Sequence, residues 1–160
     1  MASTILGLGW LLGSALAPRP ACALGAGKTE AEGKAFWAHV LQLVDEYDPA
    51  VADLYADDAV VKNVLVDANG KKRENSMEPA RFKALLRTQL PRLRGTGRHS
   101  VYSGCTYTPV AQGLRIECER RPGPQEPAHH VSVRVSKDAL GRWRIREEIS
   151  TIRAPSRPSR

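Results

Sequence analysis

Cysteine is scarce in this chain, with three in 160 residues, at positions 22, 105 and 118. None sits in a CxxC pair and no histidine lies close by in sequence, so neither a thiol redox motif nor a structural zinc centre is on offer. His, Asp and Glu nowhere gather at metal-ligand spacing, and no metal or cofactor is expected. Aromatic residues are only 6% of the chain and interleave with no dense basic run, so no nucleic-acid partner is expected despite a net charge of +7. Acids outnumber basic residues over 24–58 and the reverse holds over 59–160, but those cations are spread over a helix and several strand faces. Long apolar runs are missing as well. The stretch "TILGLGWLLGSALA" is too short and too glycine-rich for a membrane span, and no internal repeat marks a second domain.

That stretch does have the length of a signal-peptide core, and "ACA", Ala21 to Ala23, fits an A-x-A cleavage site. No Lys or Arg precedes it, and an uncleaved interfacial anchor is the alternative. The expected organisation is a signal peptide over 1–23, a linker over 24–29, one domain over 30–152 and a disordered basic tail over 153–160, in a periplasmic or secreted protein. Cleavage would remove Cys22 and leave Cys105 and Cys118 as an even pair in an oxidising compartment. In "CTYTPVAQGLRIEC" the two lie symmetrically about the turn near "VAQG". A symmetric hairpin sets them opposite each other, within reach of a disulfide; the alternative is two buried thiols acting as small hydrophobes.

Periodicity supplies the elements. Phe36, Val40, Leu43, Val44 and Tyr47 fall on one helical stripe, Thr29 and Glu32 resemble a capping box, and Asp48-Pro49 ends the helix. A short helix follows and runs into a strand. Asn69-Gly70 signals a type I′ hairpin. A third helix is expected with Ser76 as N-cap, Phe82, Leu85, Leu86 and Leu90 as its stripe, and Pro91 and Gly95 at its end. Four strands complete the chain, the last two joined at "KDALG". These helices are too few to cover both faces of a sheet. An α+β fold is expected, a sandwich or cone with three helices of the N-terminal half on one face of a curved, mostly antiparallel sheet.

Through "DLYADDAVV", the Asn69-Gly70 hairpin, "PARFKALLRTQL" and "GRWRIREEIS", the chain resembles the nuclear transport factor 2-like superfamily, the cystatin-like cone with polyketide-cyclase-like and ketosteroid-isomerase-like relatives. The resemblance covers residues 30–152 and implies a pocket at the open end, between helices and sheet. It does not fix function, because the superfamily mixes enzymes with binding and assembly domains. An isomerase-like site would need a carboxylate base and a Tyr/acid oxyanion pair. Tyr47 and Tyr55 are present but match no such role residue by residue.

In "GRWRIREEIS" an acid interrupts an apolar face. Trp143, Ile145, Glu147 and Ile149 alternate with charged residues. With a turn pivoting on Ala139, Glu147 would point inward with His129 as its diagonal neighbour. The pair could catalyse by acid–base chemistry, orient a ligand, or serve as a structural or rim salt bridge; a one-residue slip would exchange Glu147 for Glu148. Trp37, Tyr55 and Trp143 are candidate pocket walls, with plain core packing as the alternative. The expected function is binding of a small, partly apolar molecule or a protein partner, more than catalysis. The alternatives are a lyase, isomerase or hydrolase using Glu147 and His129, or an immunity-like or envelope-assembly module docking through its sheet face, where a second copy could also sit.

Overall fold

A computed structural model describes residues 22–153, with side chains from residue 27 onward. Residues 1–21 and 154–160, which hold most of the expected signal segment and tail, lie outside the described residues. Helix α1 runs from Cys22 to Asp45, so the expected linker is helical and Thr29 is an interior residue and not a cap. Alanine and leucine in "CALGAGK" favour the helix, which no proline interrupts there. The helix ends in a Schellman arrangement, in which Tyr47 N–H donates to the Val44 carbonyl and Asp48 N–H to that of Leu43. Tyr47 takes the left-handed position usually given to glycine, with φ 55°. Its burial and its hydroxyl, which donates to the Arg98 carbonyl at 3.0 Å, hold it there. Asp48 then caps a 3-10 helix, Pro49–Leu54, by accepting from Ala50 N–H.

Six strands form one sheet in the order β2-β1-β6-β5-β4-β3, where β1 is Tyr55–Val66, β2 Lys72–Met77, β3 Val101–Val110, β4 Gly113–Arg121, β5 His129–Lys137 and β6 Trp143–Arg153. Only β1 and β6 pair in parallel; every other neighbouring pair is antiparallel. Helix α2, Pro79–Leu93, connects β2 to β3. The architecture is α+β, a few helices against a curved, unclosed sheet. Leu114, Ile116, Val131, Val133, Val135 and Ile145 line the inner face and are sealed from water by α1. By contrast, α2 has no buried residue. Its stripe of Phe82, Leu86 and Leu90 packs against the core only in part, and Leu85 lies outside it, exposed.

Two turns share one design. In "DANGK" (67–71) and "DALGR" (138–142) the aspartate side chain accepts from the backbone N–H groups two and four residues on, and a glycine with φ 79° or 74° closes the loop. The expected type I′ turn is therefore corrected: it needs two positive φ values, and here only Gly70 has one. The aspartate's local bonds replace what Asn69 would have supplied. Ser76 is likewise not a cap. It belongs to β2, where it pairs with Lys62, and Glu78 precedes Pro79 at the helix start without a side-chain bond. Pro91 sits inside the last turn, which continues to Leu93.

Cys105 and Cys118 are joined by a disulfide with a Cα–Cα distance of 4.2 Å. The symmetric hairpin brings them together, since pairing runs from Val110 with Gly113 back to Thr106 with Glu117. Beyond the bridge a bulge at Gly104, φ 61°, shifts the register and turns Tyr102 to face the same way as Arg120, its partner on β4. A second bulge interrupts β6: Val135 pairs with Ile145, but Arg134 pairs with Glu147, which leaves Arg146 as the extra residue.

Gly113 marks the closest backbone approach. A Cβ there would lie 2.0 Å from the Val135 carbonyl oxygen. Gly113→Ala should therefore lower stability by about 1–3 kcal/mol, as overpacking does, while Gly27→Ala, with nothing within 4 Å of the added atom, should not. Urea melts of the two variants check this; equal stabilities would contradict it.

Candidate functional site

The core does not fill the sheet. A cavity of about 250 Å³ remains between α1, α2 and the inner face. Val40, Val44, Val51, Leu86, Leu90 and Leu93 give it apolar walls. Its polar groups arrive by strand periodicity. The inner stripe of β4 is Leu114, Ile116 and Cys118, all buried, and two residues on it becomes Arg120, which lines the cavity. Tyr102 follows on β3, Tyr55 enters as the first residue of β1, and β6 contributes Glu148.

Inside, the groups form an arc. The Tyr55 hydroxyl donates a short hydrogen bond to the Glu148 carboxylate. Tyr55 meets Phe82 edge-on at 5.1 Å, and Tyr102 meets Trp37 in the same way at 5.7 Å. The Arg120 guanidinium lies 5.7 Å from the Tyr102 ring centre, a cation–π distance, and donates to Ser100 Oγ through Nε at 3.3 Å and Nη2 at 3.2 Å. Trp37 is 3% exposed, and its Nε1–H has no acceptor among the described residues. Burial, then the charge and hydrogen bond of Glu148, push the Tyr55 phenol well above its usual 10. Burial also raises Tyr102, to about 12. Desolvation pulls the Arg120 guanidinium down, but Tyr102, Glu148 and Tyr55 outweigh it and the net shift is upward. The arrangement can hold a polar group at one end of an apolar chamber, and Tyr55 with Glu148 can relay a proton.

Of the five residues expected from sequence to line a pocket, Trp37 and Tyr55 do so. Glu147 does not. The extra residue at Arg146 reverses the inward set, so Glu147 stands on the outer face opposite Arg134, and Glu148, opposite buried Val133, takes its place inside. His129 is on the inner face but pairs with Arg120 and Ile152 lies beyond it, so it is neither in the cavity nor beside Glu147. The hairpin pivots on Leu140, with Asp138 bonded to Arg142, so His129 is shifted relative to the expected register. Trp143 stacks on Phe36 at 6.2 Å, away from the cavity. Among the described residues no three His, Cys, Asp or Glu side chains could hold a metal ion.

Structures already solved share this layout. A nuclear transport factor 2-like protein with a cystatin-like fold from Novosphingobium aromaticivorans superposes with a TM-score of 0.58 at 17% identity, over 82% of this chain and 86% of that one. The chain has the nuclear transport factor 2-like, cystatin-like fold. A protein of unknown function from Methylobium petroleophilum with this fold gives 0.51 at 17% identity, over 81% of each chain. A second Novosphingobium aromaticivorans protein, whose name proposes a scytalone dehydratase, gives 0.50 at 15% identity, over 86% of this chain and 98% of that one. No protein-family profile matches this chain, and no curated protein does. At these identities the likeness establishes the nuclear transport factor 2-like fold and nothing about chemistry.

The raised tyrosines give a pH dependence. The native state holds the Tyr55 and Tyr102 protons more tightly than the unfolded chain, so their contribution to stability is complete below pH 10; the Tyr102 part is lost as pH rises through about 12, and the Tyr55 part is likewise lost on the alkaline side. Phenolate absorbance during alkaline titration, followed alongside urea melts, should show late ionisation coinciding with loss of stability. Ionisation of every tyrosine near pH 10 in a protein that stays folded would contradict the burial of the arc.

Proposed function

We propose that the chain is an exported domain that binds a small, partly apolar molecule in the cone. The observation that carries this reading is the chamber itself, with apolar walls and a polar arc at one side. Ligand sites combine these features, many apolar contacts with a few placed polar groups. A closed, dry core would have favoured a partner-docking module instead. The bridge between Cys105 and Cys118 is in keeping with an oxidising compartment and so with export. A second reading, acid–base catalysis of the lyase or isomerase kind, is favoured by the Tyr55–Glu148 hydrogen bond, which joins a phenol to a carboxylate inside the chamber. It replaces the Glu147–His129 pair, whose members the sheet separates.

One preparation tests the binding and the export together. Protein taken from the envelope or medium of its native host is weighed intact, then screened against one-ring compounds by ligand-observed NMR beside a Leu86→Trp variant that fills the chamber. The mass should lack residues 1–23, and the compounds that bind the wild-type protein should fail on the folded variant. A mass retaining the first residues would refute export. Equal binding to both proteins, or none to the wild type, would refute the chamber as the site.

A further inference from the structure

We propose that the chamber selects a small ring-bearing carboxylic acid, bound as its anion with the carboxylate on Arg120. This rests on the reading of the cavity as a binding site and names the chemistry of what binds there.

The first ground is charge. Lys62, Arg98 and Arg120 line the chamber against one carboxylate, Glu148. Lys62 and Arg98 already have carboxylate partners, Glu74 and Glu126. Arg120 is different. It is part-buried, yet among the described residues no carboxylate lies within ion-pair distance of it, and its Nε and Nη2 share one neutral acceptor, Ser100 Oγ. Glu148 and Glu126 act on Arg120 only through space, so no carboxylate bonds to it directly, and a planar guanidinium is shaped for one. The charged cleft on the opposite side of Tyr55 shows the contrast, because there the cations are matched within the protein, Lys83 by Asp57, Arg87 by Asp53 and Arg146 by Asp58.

The second ground is the balance of donors and acceptors. The Arg98 carbonyl takes the Tyr47 hydroxyl, one Glu148 oxygen takes the Tyr55 hydroxyl, and Ser100 Oγ takes Arg120. These three acceptors are committed to the protein, while Arg120 bonds Ser100 through Nε and Nη2 alone and keeps further N–H groups. Buried donors are normally satisfied, and a ligand with acceptor oxygens would satisfy these. Glu148 repels an anion, but the Tyr55 hydroxyl covers one of its oxygens, and its free oxygen suits a hydroxyl on the ligand.

The third ground is size and shape. About 250 Å³ is below the roughly 300 Å³ at which ordinary ligand pockets begin, and suits a single ring with a short acidic arm. The ring edges and faces of Trp37, Tyr55, Phe82 and Tyr102 suit an unsaturated or alicyclic body.

Phenylacetate and its uncharged isostere 2-phenylacetamide are titrated into the wild-type protein, Arg120→Gln and Arg120→Lys, with tryptophan fluorescence and calorimetry as readouts. The wild type should prefer the acid by about tenfold or more, as a charge-assisted bond predicts. Arg120→Gln should bring the two affinities within about threefold, and Arg120→Lys, which keeps the charge, should keep part of the preference. The wild-type ratio decides the matter even if the glutamine variant fails to fold. If the amide binds as tightly as the acid, the anion proposal falls and the binding site stands. If neither compound binds, both fall.

Discussion

One extra residue in β6 decides what the interior of this protein contains. Up to Ile145 the strand sends every second side chain inward, and an unbroken strand would continue with Glu147 and Ile149. The bulge at Arg146 reverses that order, so Glu148 and Ser150 face the cavity while Glu147 and Ile149 take the outer face. Because β6 lies between β1 and β5, its register is shared on both sides. Val61 of β1 and Val133 of β5 flank Glu148, and both are buried. A carboxylate among such neighbours is tolerable only with a hydrogen-bond donor, and Tyr55 supplies one from the start of β1. The bond joins the 3-10 helix and first strand to the last strand, across most of the chain.

The same logic organises the other polar groups. On β3 the glycine bulge turns Tyr102 inward, and the disulfide beside it ties that strand to β4 where Arg120 stands. Local irregularities in two strands therefore place Tyr102 and Glu148 in the chamber, while the regular parts of β4, β5 and β6 build the dry core and carry Arg120 inward. Helix α2 closes the chamber without a single buried residue of its own. Its apolar stripe gains less from burial than a core helix would, so a bound ligand would stabilise this region in particular by mass action.

Much of this was legible in the sequence. Alternation and helical stripes located the strands and helices, and the symmetry of "CTYTPVAQGLRIEC" placed Cys105 against Cys118. Arg120 is legible from Leu114, Ile116 and Cys118, since the period of two carries straight on to it, although an arginine at an inward position reads as an interruption of the stripe. Glu148 was harder. A bulge has no composition of its own in "RWRIREEIS", and strict alternation names Glu147. Caps failed where local signals competed. Thr29 is overridden by a helix that starts earlier, Ser76 by a strand that runs later, and Asn69 by the aspartate that shapes both five-residue turns. The Trp37 N–H could not be foreseen, because an unsatisfied donor is a property of its surroundings and not of its position.

The most direct measurement of the central claim, that Glu148 and not Glu147 forms the polar floor with Tyr55, is a pair of double-mutant cycles read by urea unfolding. Tyr55→Phe is combined with Glu148→Gln in one and with Glu147→Gln in the other. The account expects a coupling of about 1–3 kcal/mol in the first cycle and within about 0.5 kcal/mol of zero in the second. A coupling that vanishes for Glu148, or that appears for Glu147 instead, would contradict it.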